Sequence, residues 1–389
     1  VIESPWLTAL ASLAALYWTV TVLRVGRGMA GIEFLRDQPP VVDREAPEVS
    51  ICVAARNEEG KVADGVRSMV EMEYPALEVV AVDDRSEDAT GEILDRLAAD
   101  SERLRVLHVE ELPSGWLGKN HALQRAADEA RGEILLFTDA DAVFAPDALR
   151  RAVGRLRREN LDHLTAAPDL DMPGPLLGAF AGTFQVYFTQ FAEPWKARDP
   201  ESDRHVGVGA FNLVREPAYR DAGGHAAIRT RPDDDMRLAR LLKTNGARAD
   251  VVYGTGQIRV PWYDSLGEAV RGLSRSLWAG LDYSLAAAAG SLLVTLGLNV
   301  WPWIGVVVSP GPARWLNLVA VVASAGLFAG TTRYSSVRPW LAVLWPVTGL
   351  VFAWITVRST AGALIRGGIE WRGTFYPLEE LRDGRAPGS

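Results

Sequence analysis

The chain has 389 residues, 48% of them apolar and 23% charged, a net charge of −8 and a single cysteine, Cys52. That length accommodates two or three units of roughly 150 residues, and an acidic balance argues against nucleic acid as the main partner, since phosphate binding needs a basic surface. One cysteine excludes an intramolecular disulfide and a cysteine-based zinc centre.

The averages conceal a partition. Of 41 basic and 49 acidic side chains, residues 1–23 carry one and residues 283–389 carry twelve. Nine of the thirteen Trp fall at or after Trp262, and Trp6 and Trp18 lie near the start. A charge-rich middle with a net charge of −11 is flanked by apolar, Trp-rich ends.

In chain order, residues 4–23 come first, uncharged and long enough to cross a hydrocarbon core of roughly 30 Å. No basic stretch precedes them, so they are read as a retained anchor, covering residues 1–25, and not as a cleaved signal peptide. Arg24 and Arg27 follow directly, which by the positive-inside rule places the middle in the cytosol.

From Pro47 onward strand and helix patterns alternate. Strands are expected at residues 49–55, 77–82, 105–109 and 133–138, and helices at 61–72, 89–98 and 121–130. Such alternation predicts a mostly parallel sheet with helices on both faces, an α/β class in which ligands bind beyond the carboxyl ends of the strands. The polar clusters fall there. Arg56-Asn57-Glu58-Glu59 follows the first strand, Asp83-Asp84-Arg85-Ser86 the second, and Asp139-Ala140-Asp141 the fourth. No G-x-G-x-x-G follows a strand, and Gly115-Trp116-Leu117-Gly118-Lys119-Asn120 has neither the spacing nor the hydroxyl of a P-loop, so dehydrogenases and P-loop ATPases are disfavoured.

Two carboxylates at i and i+2 on a strand end can share one hard cation, Mg2+ or Mn2+, completed by phosphate oxygens of a substrate. The alternative for each acidic pair is a helix cap or a solvated turn. Asp233-Asp234-Asp235 precedes a helical pattern, where acids complement the helix dipole. Their mutual repulsion can equally hold one carboxylate as a general base. The arginines at 150, 151, 155, 157 and 158 read as a solvated helix face, with anionic headgroups as the sharper alternative. His108, His163 and His205 are read as surface or loop residues, and His225 as a possible neighbour of the acceptor.

Residues 263–282 follow as an amphipathic helix. Leu266, Val270, Leu273, Leu277 and Leu281 form one stripe, with Arg271, Arg275 and Trp278 beside it, as in a helix lying in the headgroup plane or packed on the domain. Residues 283–357 then contain three uncharged runs, 283–313, 315–332 and 339–357, read as about three spans before a tail at 358–389. Three crossings would leave Arg358, Arg366 and Arg372 on the far side, against the charge rule. Either the first run, which contains Pro302, is a re-entrant pair, or one segment only dips into the bilayer.

The order of these motifs resembles that of inverting, GT-A-fold glycosyltransferase family 2. It runs from Ala54-Ala55-Arg56-Asn57-Glu58-Glu59 through Val82-Asp83-Asp84, Gly115-Trp116-x-Gly118-Lys119 and Asp139-x-Asp141 to Asp234-Asp235. The resemblance covers about residues 47–280, with 47–262 as the cytosolic GT-A domain. The flanking spans, Gly207-x-Gly209-Ala210-Phe211, Gly223-Gly224-His225 and Glu370-Trp371-Arg372-Gly373 with Tyr376 are similar to the hopanoid-associated, carotenoid and ceramide-type lipid glycosyltransferases. It implies that Ala55, Arg56 and Glu58 line the nucleotide pocket, with Asp83 or Asp84 on base and ribose and Lys119 near the donor. Asp139 and Asp141 would hold Mg2+ or Mn2+ on the diphosphate. Asp235, or Asp234 if the register shifts by one, would be the general base. Arg271, Arg275 and Trp278 could help neutralise the diphosphate, although the Q-x-x-R-W motif of processive synthases is missing. The implied protein is a multi-pass cell-membrane enzyme that moves a sugar from a nucleotide sugar, read as a UDP-sugar, to a lipid acceptor. A polysaccharide synthase and a non-catalytic nucleotide-binding membrane protein are the alternatives.

Overall fold

A computed structural model describes residues 5–371 and 374–379. The chain forms two compact units. A sheet unit comprises Ile32–Leu170 and Pro194–Pro261, and a helical unit comprises the chain up to Gly31, Asp171–Glu193 and the chain from Trp262. The expected domain ran unbroken over 47–262. In the structure, 171–193 leave it for the helical unit, and the linker after the first helix joins it.

The sheet unit is built on seven strands in the order β3-β2-β1-β4-β8-β6-β9. These are β1 (Val49–Ala55), β2 (Leu77–Asp84), β3 (Leu104–Val109), β4 (Ile134–Asp139), β6 (His163–Ala167), β8 (Asn212–Arg215) and β9 (Ala249–Tyr253). A small second sheet orders β5 (Val143–Phe144), β10 (Ile258–Pro261) and β7 (Asp169–Asp171) as β5-β10-β7. Helices α2 (Val62–Val70), α3 (Thr90–Ala99), α4 (Gly118–Glu129), α5 (Ala148–Arg158), α7 (Glu216–Asp221) and α8 (Asp234–Thr244) complete the unit. All seven residues of β1 are buried, as a central strand covered on both faces requires. β1 to β4 are parallel to their neighbours, and β8 runs antiparallel between β4 and β6. The register aligns the chemistry. Ala55 pairs with Asp83, Ala54 with Asp139, and Asp83 with His108, so the polar strand ends share one edge.

The arginines of α5 are not a solvated face. Arg150 and Arg151 donate to the carbonyls of Val41 and Gln38, and Arg158 to that of Pro39 and to the Gln38 side chain. Arg155 is buried and bonds Glu33 and Asp250 at 2.9 and 2.8 Å. Four of the five thus hold the extended linker 33–43 against the unit, while Arg157 is exposed as expected. An extended segment leaves its carbonyls unsatisfied, and guanidinium forks satisfy them without a strand partner.

The helical unit contains α1 (Pro5–Ala30), α6 (Gly174–Ala192), α9 (Leu266–Gly280), α10 (Leu285–Val294), α11 (Trp301–Val308), α12 (Gly311–Thr331), α13 (Trp345–Arg366) and a hairpin of β11 (Gly368–Trp371) and β12 (Thr374–Pro377). Four helical stretches are long and apolar enough to cross a membrane: Pro5–Ala30, Leu285–Val308, Gly311–Tyr334 and Pro339–Arg366. The first run after α9 is one continuous helical stretch. α10 passes through a π-helical stretch, Thr295–Val300, directly into α11, with right-handed helical dihedrals at Thr295, Val300 and Trp301. Pro302 explains the stretch. It has no N–H for the carbonyl four residues back, at Leu298. That carbonyl instead accepts from the indole Nε1 of Trp18 on α1 at 2.7 Å, the kind of neighbouring-helix repair that lets proline persist in apolar helices.

The apolar stripe of α9 is also resolved. Leu266, Val270, Leu273 and Leu277 pack with Leu177 and Phe180 of α6 and Phe352 and Ile355 of α13. Protein covers the stripe, leaving Gly267, Arg271 and Arg275 exposed. Trp278 is 1% exposed, so it does not present an indole to a headgroup or a diphosphate. Of the Glu370-Trp371-Arg372-Gly373 motif, Arg372 and Gly373 lie outside the described residues, as does the tail from 380.

Candidate active site

One strand-end acid and one helix-start acid of the sheet unit converge on one cation. Lys119 sits in the first turn of α4, and its Nζ lies 2.8 Å from Asp139 Oδ1 at the end of β4 and 3.2 Å from Asp234 Oδ2 at the start of α8. Local hydrogen bonds bring these segments together. Leu117 N donates to the Arg229 carbonyl, and buried Asn120 donates through Nδ2 to the carbonyls of Ile228 and Arg231. The start of α4 is thereby pinned to the loop that runs into the aspartates.

The three aspartates have separate fates. Asp233 is clamped by Arg231 at 3.0 Å and Arg237 at 2.8 Å. Burial works against its charge, but the two guanidiniums overcome it and hold the carboxyl below the usual range. Asp234 is buried on Lys119. Asp235 is more open to solvent; its Oδ2 accepts from Gly209 N–H at 2.9 Å and its Oδ1 from Met236 N–H at 2.7 Å. Burial, then the charge of Asp234, push its carboxyl up to about 7. Burial works against the ammonium of Lys119, yet Asp139, Asp234 and Asp235 outweigh it and keep the group charged.

Glycine makes the approach possible at two points. A Cβ on Gly209 would collide with the carboxylate of Asp139, and one on Gly118 with that of Asp84. Gly207-x-Gly209, which fails as a dinucleotide loop, therefore serves contact between the β8 entry and the acids.

Asp83 and Asp84 also diverge. Asp84 receives two bonds from Arg85, at 2.8 and 3.1 Å, with Arg56 NH1 3.8 Å from its Oδ2. Asp83 accepts from Ser86 N–H and lies 3.1 Å from His108 Nδ1, while His108 Nε2 lies 3.0 Å from Asp95. Asp84 therefore stays with Arg56, and Asp83 turns toward β3. His108 thus bridges Asp83 and Asp95, a contact its sequence context did not signal. The Arg56 side chain is largely buried, and its Nε has no hydrogen-bond partner among the described residues. Glu58 lies in the turn after β1, with its N–H on Thr90 Oγ1. His225 is buried with Nδ1 on Tyr219 OH, and burial, then Lys119, push it down to about 3, so it is a neutral packing residue. His163 is likewise buried, against Asn212, and burial lowers it to about 4.

Asp139 and Asp141 fit a hard divalent cation. Burial raises Asp141 to about 7, with the charges of Asp139 and then Glu58 adding to the effect. Oxygen donors that repel one another in this way suit Mg2+ or Mn2+. Among the described residues no group of three or more His, Cys, Asp or Glu is placed to hold a metal alone. Two carboxylates completed by phosphate oxygens is the arrangement usual for Mg2+.

A parallel core with an antiparallel insertion strand and acids at its carboxyl edge defines a GT-A-like α/β fold. Residues 50–220 match the family model described as glycosyl transferase family 2. Over 117 residues the chain is 40% identical to the beta-monoglucosyldiacylglycerol synthase of Trichormus variabilis, a match covering 30% of this chain and 25% of that one. The chain thus spans about a quarter of the length of that curated relative. It is 20% identical over 342 residues to the 4,4'-diaponeurosporenoate glycosyltransferase of Staphylococcus aureus, covering 85% of this chain and 89% of the other. Among solved structures, a mannosyltransferase from Pyrobaculum calidifontis in complex with GDP-Man and Mn2+ is similar, with a TM-score of 0.56 and 20% identity. That likeness covers 91% of this chain and 98% of that one, and it shows the shared fold.

Proposed function

We propose that the protein transfers a sugar from a nucleoside-diphosphate sugar to the hydroxyl of a lipid acceptor, inverting the anomeric carbon, with the sheet unit in the cytosol. One observation carries the reading. A buried lysine gathers the strand-end acid Asp139 and the helix-start acid Asp234, while the adjacent Asp235 keeps a raised, partly open carboxyl. Names of relatives that act on diacylglycerol and carotenoid-type substrates support a lipid acceptor.

In this mechanism Asp235 takes the proton from the acceptor hydroxyl as the oxygen attacks the anomeric carbon in line. The Gly209 N–H fixes that carboxyl's rotamer, so the proton transfer needs little reorganisation. Arg56, with its unpartnered buried Nε, contacts the donor phosphates beside Asp84, and Ala55 and Glu58 border the nucleotide. Lys119 holds Asp139 and Asp234 in place and stabilises negative charge nearby. Asp139 and Asp141 would hold Mg2+ or Mn2+, which neutralises charge on the departing diphosphate.

The test uses the full chain in its membrane, a panel of UDP- and GDP-sugars, and mass spectrometry of the lipids formed. The expected result is glycolipid plus free nucleoside diphosphate, lost with Asp141→Ala and on chelation of divalent cations. Nucleotide binding without sugar transfer to any lipid would overturn the reading in favour of a non-catalytic domain.

A further inference from the structure

Pro339–Arg366 is long and apolar enough to span a bilayer, yet its neighbours in the helical unit are incompatible with a crossing. The constraint begins at α6. Its segment, Asp171–Glu193, is joined at both ends by single peptide bonds to the sheet unit, at Leu170 and Pro194. A folded, charge-rich unit occupies one side of a membrane, so both ends of α6 lie on that side and α6 does not cross.

α13 follows α6 in antiparallel register. Phe180 stacks on Phe352 with ring centres 4.7 Å apart and planes 3° apart, Thr183 and Thr348 hydroxyls meet at 2.7 Å, and Tyr187 meets Trp345 edge-on at 5.7 Å. Eight residues of each helix, about 10 Å of axis, thus run alongside one another. α9, which begins five residues after Pro261 of the sheet unit, closes the same core, and Ser359 Oγ of α13 accepts from the Trp278 backbone N–H. A helix aligned with α6 shares its limits. The Pro339–Arg366 segment is also half buried within the protein, against 28 to 33% for the other three candidates.

We infer that α6, α9 and α13 form a platform lying in one leaflet, so that the chain crosses the bilayer three times, through α1, α10–α11 and α12, and returns its C-terminal tail to the side of the sheet unit. The surface offered to the leaflet is a stripe on α13, where Val347, Leu350, Trp354, Val357 and Leu364 are 41 to 55% exposed. Arg358 and Arg366 interrupt the same helix, as suits one lying at headgroup depth. This topology also removes the charge conflict. Arg24, Arg27, Arg333, Arg338, Arg358 and Arg366 fall on the sheet-unit side, and Arg314 alone of the described arginines flanking these helices falls opposite. The occupant of the stripe is the acyl region of the bilayer.

The experiment is cysteine topology mapping of the full chain in sealed vesicles of both orientations, in a Cys52→Ala background, with a membrane-impermeant maleimide. Glu45→Cys reports the sheet unit and Pro312→Cys the α11–α12 connection; Arg366→Cys and Glu379→Cys report the tail. The expected result is that both tail cysteines lose labelling when the sheet-unit face is blocked first, as Glu45→Cys does, while Pro312→Cys does not. Tail cysteines protected only by blocking the Pro312 face would establish α13 as a fourth span and overturn the inference. Either tail variant suffices if the other fails to accumulate, and neither outcome depends on transferase activity.

Discussion

In the sheet unit, Lys119 lies within hydrogen-bond reach of two carboxylates, and a third, Asp235, further favours its charged form. In the helical unit, the Trp18 indole meets a single carbonyl, and the Thr183 hydroxyl meets that of Thr348 and the carbonyl of Ala179. Both regions satisfy buried polar atoms, but with different consequences. The first concentrates like charges around one ammonium, so protonation states depend on the cluster as a whole. The second joins helices through these neutral bonds, which put no charge in an apolar medium, and keeps its buried acid, Glu193, on Arg24. Reactivity follows from the first arrangement and rigidity from the second.

The largest effect should come from separating reactivity from charge balance inside the cluster. Asp235→Asn keeps size and one of the two accepted backbone hydrogen bonds but removes the base, and transfer should fall roughly a thousandfold with donor KM little changed. Asp234→Asn should cost stability together with activity, because Lys119 loses a partner. Asp235 must be ionised to work, and its raised carboxyl means that the wild-type rate falls as pH drops through about 7. A pH–rate profile of the full chain checks this. An acid limb at the ordinary carboxylate position, or an active Asp235→Asn, would move the base elsewhere.

Next in size is the loss of the ammonium. Lys119→Met leaves Asp139, Asp234 and Asp235 facing one another, at a cost of about 3 kcal/mol to folding at neutral pH. The deficit should shrink on acidification, because protonating the carboxylates removes the repulsion. Thermal unfolding across pH measures it. A pH-independent deficit would mean that lost packing, and not charge, is responsible.

The matching experiment in the helical unit is smaller. Trp18→Phe strands the Leu298 carbonyl and should cost about 1–2 kcal/mol. Pro302→Ala restores an N–H for that carbonyl, so Trp18→Phe should cost less in its presence. Additive losses would show that the indole serves packing against Trp345 alone, its edge-on neighbour at 5.5 Å.

Sequence patterns carried the sheet unit further than the helical one, for physical reasons. β1 to β4 are apolar runs ending in acids, and strand period and turn chemistry are local signals. The strand-end acids and Lys119 were legible, but their pairing was not, since residues 119 and 234 meet only through the loop bonds of Asn120. α6 was missed. Residues 172–192 carry no charge, a signal that was available, but Gly, Thr and Gln dilute their apolar character. The α5 arginines were misread because a basic face looks the same whether it meets water, headgroups or the carbonyls of a distant linker. Trp278 was misplaced for a similar reason, as helical spacing gives its angle around α9 but not what covers that side.

The smallest predicted effect isolates a group at the edge of the cluster. Hydrogen bonds from His108 to Asp95 and then to Asp83 raise its pKa, against a smaller opposing effect of burial. A group whose folded pKa lies above its unfolded value, about 6.5 for histidine, stabilises fully below the unfolded pKa. That contribution is lost as pH rises through the folded pKa. The Tm difference between wild type and His108→Gln should therefore be greatest at mildly acidic pH and fade toward alkaline pH. The side chain is half exposed, so solvent and salt screen the pairing, and the difference should shrink in high salt. Transfer activity is the sharper readout. If His108 positions Asp83 for the nucleotide, donor KM should rise in His108→Gln with kcat unchanged; a purely structural link would shift Tm alone.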